Sequence, residues 1–405
     1  MITLALIVLA AFGVYLGLSV FMLGIVELHE EHEFWVKPEE VVKQFPTEDA
    51  IRAAEAELER SPQNLKLRIS ILGAHLFKFQ DEAWTIRAKK HARWLIENHP
   101  EIANAGKPET SFPFRFRDCS PEEKHDLMIL WEKKFEDTGR DRRVLSNAAH
   151  FFTNIDVKFA TKCKREIAER EPLNPDELRD LARLLCFGLK ESDNQDERDE
   201  FLEPLRLYTK ICSWPWTQND YRRLESLRAR FGAFLWPRPL TFMILYLRGT
   251  LARALSHRHS RQNYILLADA ATTALKAGDL ASARRFADSL RSCLPEVETR
   301  VKWPPFLRES YTILARLALK DGDLETVKLY LDKKASNPLG TVFDFLFDDL
   351  DIIADLVKSG HKDIAVGFMQ KRAKEAVNQP EVELQIKLVK NGEIPYADKW
   401  LKKEG

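Results

Sequence analysis

From Thr47 onward the apolar residues of this chain recur every three or four positions, the spacing that places them on one face of an α-helix. Leu178, Leu181, Leu185 and Leu189 form one such stripe. Strict alternation of apolar and polar residues, which a half-buried strand requires, is missing from the sequence. Helix starts carry the residues that chemistry favours there. Ser120-Pro121-Glu122-Glu123 offers a capping hydroxyl, a proline and two carboxylates near the positive end of the helix dipole. Thr47-Glu48-Asp49 and Asn174-Pro175-Asp176-Glu177 follow the same logic. The pattern predicts an all-α fold.

Residues 1–26 contain no charged side chain. As helix this run would span about 39 Å, more than the ~30 Å hydrocarbon core of a bilayer. The sequence thus predicts a transmembrane anchor over residues 1–27. No Lys or Arg precedes the run, and apolar residues continue past Gly17-Leu18-Ser19, which favours an uncleaved anchor over a signal peptide. Gly13 and Gly17, with Gly24 two turns further on, would form a helix-packing face. Lys37 and Lys43 beyond the span, together with the free cysteines, favour a single-pass protein with its soluble part in the cytoplasm.

A second periodicity overlies the first. A small residue, an Ala twelve positions later and a Pro twelve after that recur as Ala148, Ala160, Pro172 and as Ala271, Ala283, Pro295. Ala315 and Val327 keep the phase, and Ala88 and Pro100 match half a unit. Seven positions after the small residue stand Gly278-Asp279 and Gly322-Asp323, and Gly360 precedes Ala365 by five, the interval that separates Gly278 from Ala283. Small residues allow two helices to cross closely, Gly ends the first helix and Pro the second. Such hairpins bury their apolar faces only by stacking.

These residues resemble the tetratricopeptide-repeat (TPR) family, best over residues 267–295 and less closely from Asp141 and Arg308. Leu267, Tyr311 and Val144 replace the family's usual Trp, and the step from Ala271 to Ala315 exceeds the family's ~34 residues. The resemblance implies a TPR-like α-solenoid of stacked hairpins, preceded here by one transmembrane helix. It also implies a concave partner-binding face, which would carry Arg142, Leu145, Ala149 and Phe152, then Ala268, Thr272, Leu275 and Lys276, then Glu309, Thr312, Arg316 and Lys320. The protein partners would be subunits of a membrane complex, with the chain as accessory subunit or assembly factor.

Punctuation gives the domain plan: anchor 1–27, juxtamembrane segment 28–46, an N-terminal helical-repeat half 47–236, and a C-terminal TPR-like half 237–405 with a capping helix. Pro237 marks the boundary. Residues 106–120 read as a long loop.

Lys plus Arg and Asp plus Glu are both 62 of 405 residues, which removes the basic excess that a nucleic-acid binder needs. Cys119, Cys163, Cys186, Cys212 and Cys293 form no C-x-x-C pair and read as free thiols. His29-Glu30-Glu31-His32-Glu33 lacks the H-E-x-x-H spacing and reads as a solvated face. Ser256-His257-Arg258-His259-Ser260-Arg261 reads as an exposed basic connector, and Phe114-Arg115-Phe116-Arg117 as a docked loop. No phosphate-cradling, dinucleotide or nucleophile-elbow motif is present, so neither a cofactor nor a metal is expected and the chain reads as a non-enzyme. The alternative is an enzyme on a helical scaffold, in which His257 or His259 would meet buried carboxylates.

Overall fold

The structure, a computed structural model, describes residues 41, 43–45, 47–77, 82–114, 119–187, 189, 194–214, 221, 246, 264–300, 307–336, 349–373 and 379–394. Every regular element among them is helical, so the all-α class holds. The chain divides into two compact units, with the segment up to Gly188 in the first and residues from Phe242 onward, with 189–217, in the second. The Pro237 boundary lies outside the described residues.

The anchored architecture does not stand. Among the described residues no helix is long and apolar enough to cross a membrane, and the expected span at 1–27, with Gly13, Gly17 and Gly24, lies outside them. The single-pass localisation, and the membrane-complex partners built on it, lose their structural support with it. Even the longest described helix, Leu280–Arg300, carries Arg284, Arg285, Asp288 and Arg291, each of which would be costly in hydrocarbon.

The first unit contains α1 (Glu48–Arg60), α2 (Leu65–Phe77), α3 (Glu82–Asn98), α4 (Pro121–Asp137), α5 (Arg142–Phe152), α6 (Val157–Arg170) and α7 (Pro175–Cys186). Each packs on the next. The caps read from sequence operate: the hydroxyl of Ser120 accepts from the Glu123 N–H at 3.2 Å, and Thr47 and Asn174 cap α1 and α7. Ala88, Ala148 and Ala160 are buried within the unit. An aromatic core fills the space around them, in which Phe152 meets Phe159 at 4.5 Å and Trp131 meets Phe151 at 5.9 Å between ring centroids. Val41 and Phe45 are also buried, beside Ile51, Leu58 and Trp84, so the end of the 28–46 segment belongs to a second, smaller core in this unit.

Residues 106–120 are not a simple loop. A 3-10 turn (Ala103–Gly106), a one-turn helix (Pro108–Ser111) and a second 3-10 turn (Phe112–Phe114) occupy most of the described part. Burial explains the difference. Phe114 packs against Phe151, and the Thr110 hydroxyl donates to the Asn104 carbonyl at 2.7 Å, so the segment satisfies itself inside the core. Likewise α7 stops at Cys186, which leaves Leu189 beyond the stripe that Leu178 and Leu181 bury.

The second unit contains α8 (Leu202–Ser213), α9 (Tyr264–Lys276), α10 (Leu280–Arg300), α11 (Leu307–Lys320), α12 (Leu324–Ala335), α13 (Leu350–Lys358), α14 (Lys362–Ala373) and α15 (Gln379–Lys390). Pairs α9–α10, α11–α12 and α13–α14 are antiparallel hairpins; α9, α11 and α13 stack in turn, as do α12 and α14. Ala271, Ala283, Ala315 and Val327 are fully buried at the crossings. Gly322 has φ +75°, and the following Asp323 N–H reaches back to the Ala318 carbonyl at 2.9 Å. Gly278 makes the same turn at φ +78°, with Asp279 bonded to Ala274. A left-handed residue is needed there, and glycine adopts it without steric cost. Each Asp then caps the next helix, which holds both carboxyls below the usual carboxylate range, Asp279 chiefly through the Ser282 N–H and Asp323 through the Thr326 hydroxyl. Pro295 does not end its helix, because α10 runs through it to Arg300.

Candidate functional site

The side chains expected on a concave binding face mostly hold the helices together. Leu145 and Phe152 on α5 are fully buried in the aromatic core, as is Ala149; Ala268 and Leu275 on α9 are buried as well. Arg142 bridges α5 to the next hairpin, with Nε 3.0 Å from Glu171 and Nη2 2.7 Å from Glu177. Burial disfavours its charge, but the two carboxylates outweigh that and push the guanidinium up. Glu177 is itself buried and also accepts from the buried Lys164 ammonium at 2.9 Å, while Asp180 lies 3.2 Å from the same nitrogen.

The second unit repeats the device. Arg316 on α11 is 2% exposed, with Nε 2.7 Å from Asp355 and Nη1 3.5 Å from Asp351 on α13. Lys276 on α9 approaches the same Asp351 at 3.6 Å. Thr312 accepts from the buried Lys334 ammonium, which also pairs with buried Asp349, and Arg372 lies 3.5 Å from that carboxylate. Thr272 is half-buried, and Glu309 and Lys320 are exposed. The sequence carried one signal of this arrangement: Asp351 and Asp355 are four residues apart, hence on one face of α13.

One open groove in the first unit was not foreseen. It lies along α6 beside the end of α7, with a volume of about 690 Å³. Its floor is Val157, Leu184 and Leu185, and Phe187 stands at its lip, 55% exposed. Lys158, Thr161, Lys162 and Arg165 come from α6 at helical spacing, joined by Arg140, Glu166 and Glu169. Arg140 adopts φ +58°, and its Nε donates to Glu166 at 2.7 Å. That bond, outweighing partial burial, holds Glu166 below the usual carboxylate range, with Arg170 adding to it. A second hollow of about 650 Å³ lies across α6, shares Lys158 and Lys162, and exposes Ile129 of α4.

Cys119, Cys163 and Cys212 are all pushed towards the thiol form, chiefly by burial. Burial pushes Cys163 up to about 12, with Glu132 adding to it, and burial does the same to Cys212, also to about 12. No group of three metal-ligating side chains occurs among the described residues. The histidine cluster at 29–32, the run 256–261 and Arg115 to Arg117 lie outside the described residues, whereas Phe114 is a core residue.

No family model and no curated protein matches the sequence. The resemblance to the tetratricopeptide family is corrected accordingly: the hairpins, their glycine turns and their buried alanines are features of close helix packing in general, and membership does not follow from them. The anchored TPR-like solenoid of the sequence reading becomes, among the described residues, an all-helical chain in two compact units.

Proposed function

We propose that this chain is a non-catalytic helical scaffold that binds a polypeptide segment along the α6–α7 groove. The observation that carries this reading is the contrast between two classes of charged residue. Arg142, Lys164, Arg316 and Lys334 are engaged between helices, where they fix how neighbouring helices pack. Lys158 and the aromatic ring of Phe187 instead face an open hollow with an apolar floor. Exposed apolar surface rimmed by polar groups is the usual composition of a recognition site.

The reading is tested by placing a benzophenone-bearing amino acid at Thr161 in the groove, and separately at exposed Glu97 on α3, in the full chain within its native cells. A discrete adduct from position 161, lost in Phe187→Ser and not seen from position 97, is expected. Equal labelling from both positions, or none from 161, would sink the proposal.

A further inference from the structure

We infer that the occupant of the α6–α7 groove is a short acidic segment that inserts one apolar side chain beside Phe187. The inference rests on the groove reading above and adds the chemistry of the partner.

Charge complementarity carries it. Four cations line this hollow, Arg140, Lys158, Lys162 and Arg165, against two carboxylates, Glu166 and Glu169. Glu166 is held by Arg140 and by Arg170, and Lys162 reaches Glu132 at 2.6 Å, so these pairs offset one another and the positive charge that faces a ligand centres on Lys158. Lys158 makes no ion pair among the described residues. Lys158, Lys162 and Arg165 lie on successive turns of one helix face, with Lys162 also reaching Glu132 at 2.6 Å and Glu169 following at the far end. A basic segment would meet Lys158 with like charge, which is a strong discriminator at an interface.

The apolar half of the site fixes the second requirement. Leu184 and Leu185 close the floor, and Phe187 stands immediately after the last residue of α7 with half its surface open. An aromatic beside an aliphatic floor is the kind of pocket that receives a single anchoring side chain. The volume of about 690 Å³ suits a short segment rather than a whole domain face.

The test uses the full chain and three fluorescein-labelled synthetic peptides read by anisotropy. One carries glutamates around a central phenylalanine. The second replaces that phenylalanine by alanine, and the third replaces every glutamate by lysine. The first should bind, weaken several-fold as salt rises from ~50 to ~500 mM, and weaken further with Lys158→Glu. Lys158 lies in the first turn of α6, where a carboxylate suits the helix dipole, so this variant should fold normally. Circular dichroism checks that point, and Phe187→Ser provides a second variant that should also lose binding. Equal or tighter binding of the lysine peptide through Phe187 would overturn the acidic assignment while leaving the groove reading intact. Failure of all three peptides while position 161 still cross-links would also overturn it. If none binds and position 161 gives no adduct, both readings fall. A dimer in sedimentation that Phe187→Ser dissociates, without peptide binding, would make the occupant a second copy and overturn the inference.

Discussion

The backbone of Asn147 lies so close to Gly106 that a Cβ on the glycine would stand 2.6 Å from the Asn147 carbonyl oxygen. The Asn147 side chain completes the contact, with Nδ2 donating to the carbonyls of Pro100 at 2.8 Å and Ile102 at 2.7 Å. One asparagine thus clamps the 100–106 turn onto α5. Gly106→Ala should cost about 1–3 kcal/mol, because backbone on both sides cannot yield. Asn147→Asp should cost about as much at neutral pH by turning the two donor contacts into facing acceptors. Urea denaturation of each variant checks both, and wild-type midpoints would contradict this packing.

The Lys164–Glu177 pair supplies a second prediction. Glu177→Leu leaves a buried ammonium with only the partly exposed Asp180, and should destabilise by about 3–5 kcal/mol. Adding Lys164→Met removes the stranded charge and should recover most of the loss. A double-mutant cycle measures the coupling. Additive single effects would mean that the pair does not interact as described.

The Arg140–Glu166 bond predicts acid sensitivity of a definite sign. The folded carboxyl titrates lower than in the unfolded chain, where the value is ~4.3. Its contribution is therefore complete above the unfolded value and is lost as pH falls through the lower folded one. Comparing wild type with Glu166→Gln by urea titration between about pH 3 and pH 7 should show a stability gap that closes on the acid side. A gap that stays constant across this range would remove the linkage.

Alkylation should follow burial. With Cys163 and Cys212 pushed up to about 12, both remain thiols at pH 8. Iodoacetamide followed by peptide mass mapping should modify Cys163, which is buried, only after denaturant is added. Rapid labelling of the folded protein at Cys163 would contradict the burial described.

Gly322→Ala should destabilise by about 1 kcal/mol, since its φ of +75° is unfavourable for a side chain although open space surrounds it. Thermal unfolding reads the change. An unchanged midpoint would mean that this turn relaxes at no cost.

Local chemistry was the most legible part of this sequence. Ser120, Asn174 and Asp323 cap helices because a short polar side chain before a helical run has few better partners than the free N–H groups. The glycine turns and the alanines at the crossings followed from sterics alone. Residues 106–114 were not legible, because Pro113 and the flanking aromatics read as a loop until Phe151 is placed beside Phe114. The candidate binding residues failed to stay on a free face for a similar reason. A helix position says which side a cation projects from, not whether a carboxylate from another hairpin waits there.

The sequence by itself determined the helical class, the caps, the turns and the residues at which helices cross. Each depends on neighbours within a few positions, where covalent geometry restricts the choices. Tertiary structure alone decided that Arg142 and Arg316 bind carboxylates of other helices, and that Leu184, Leu185 and Phe187 meet the basic stripe of α6. Those contacts join residues far apart in the chain, so their partners are set by packing and not by spacing.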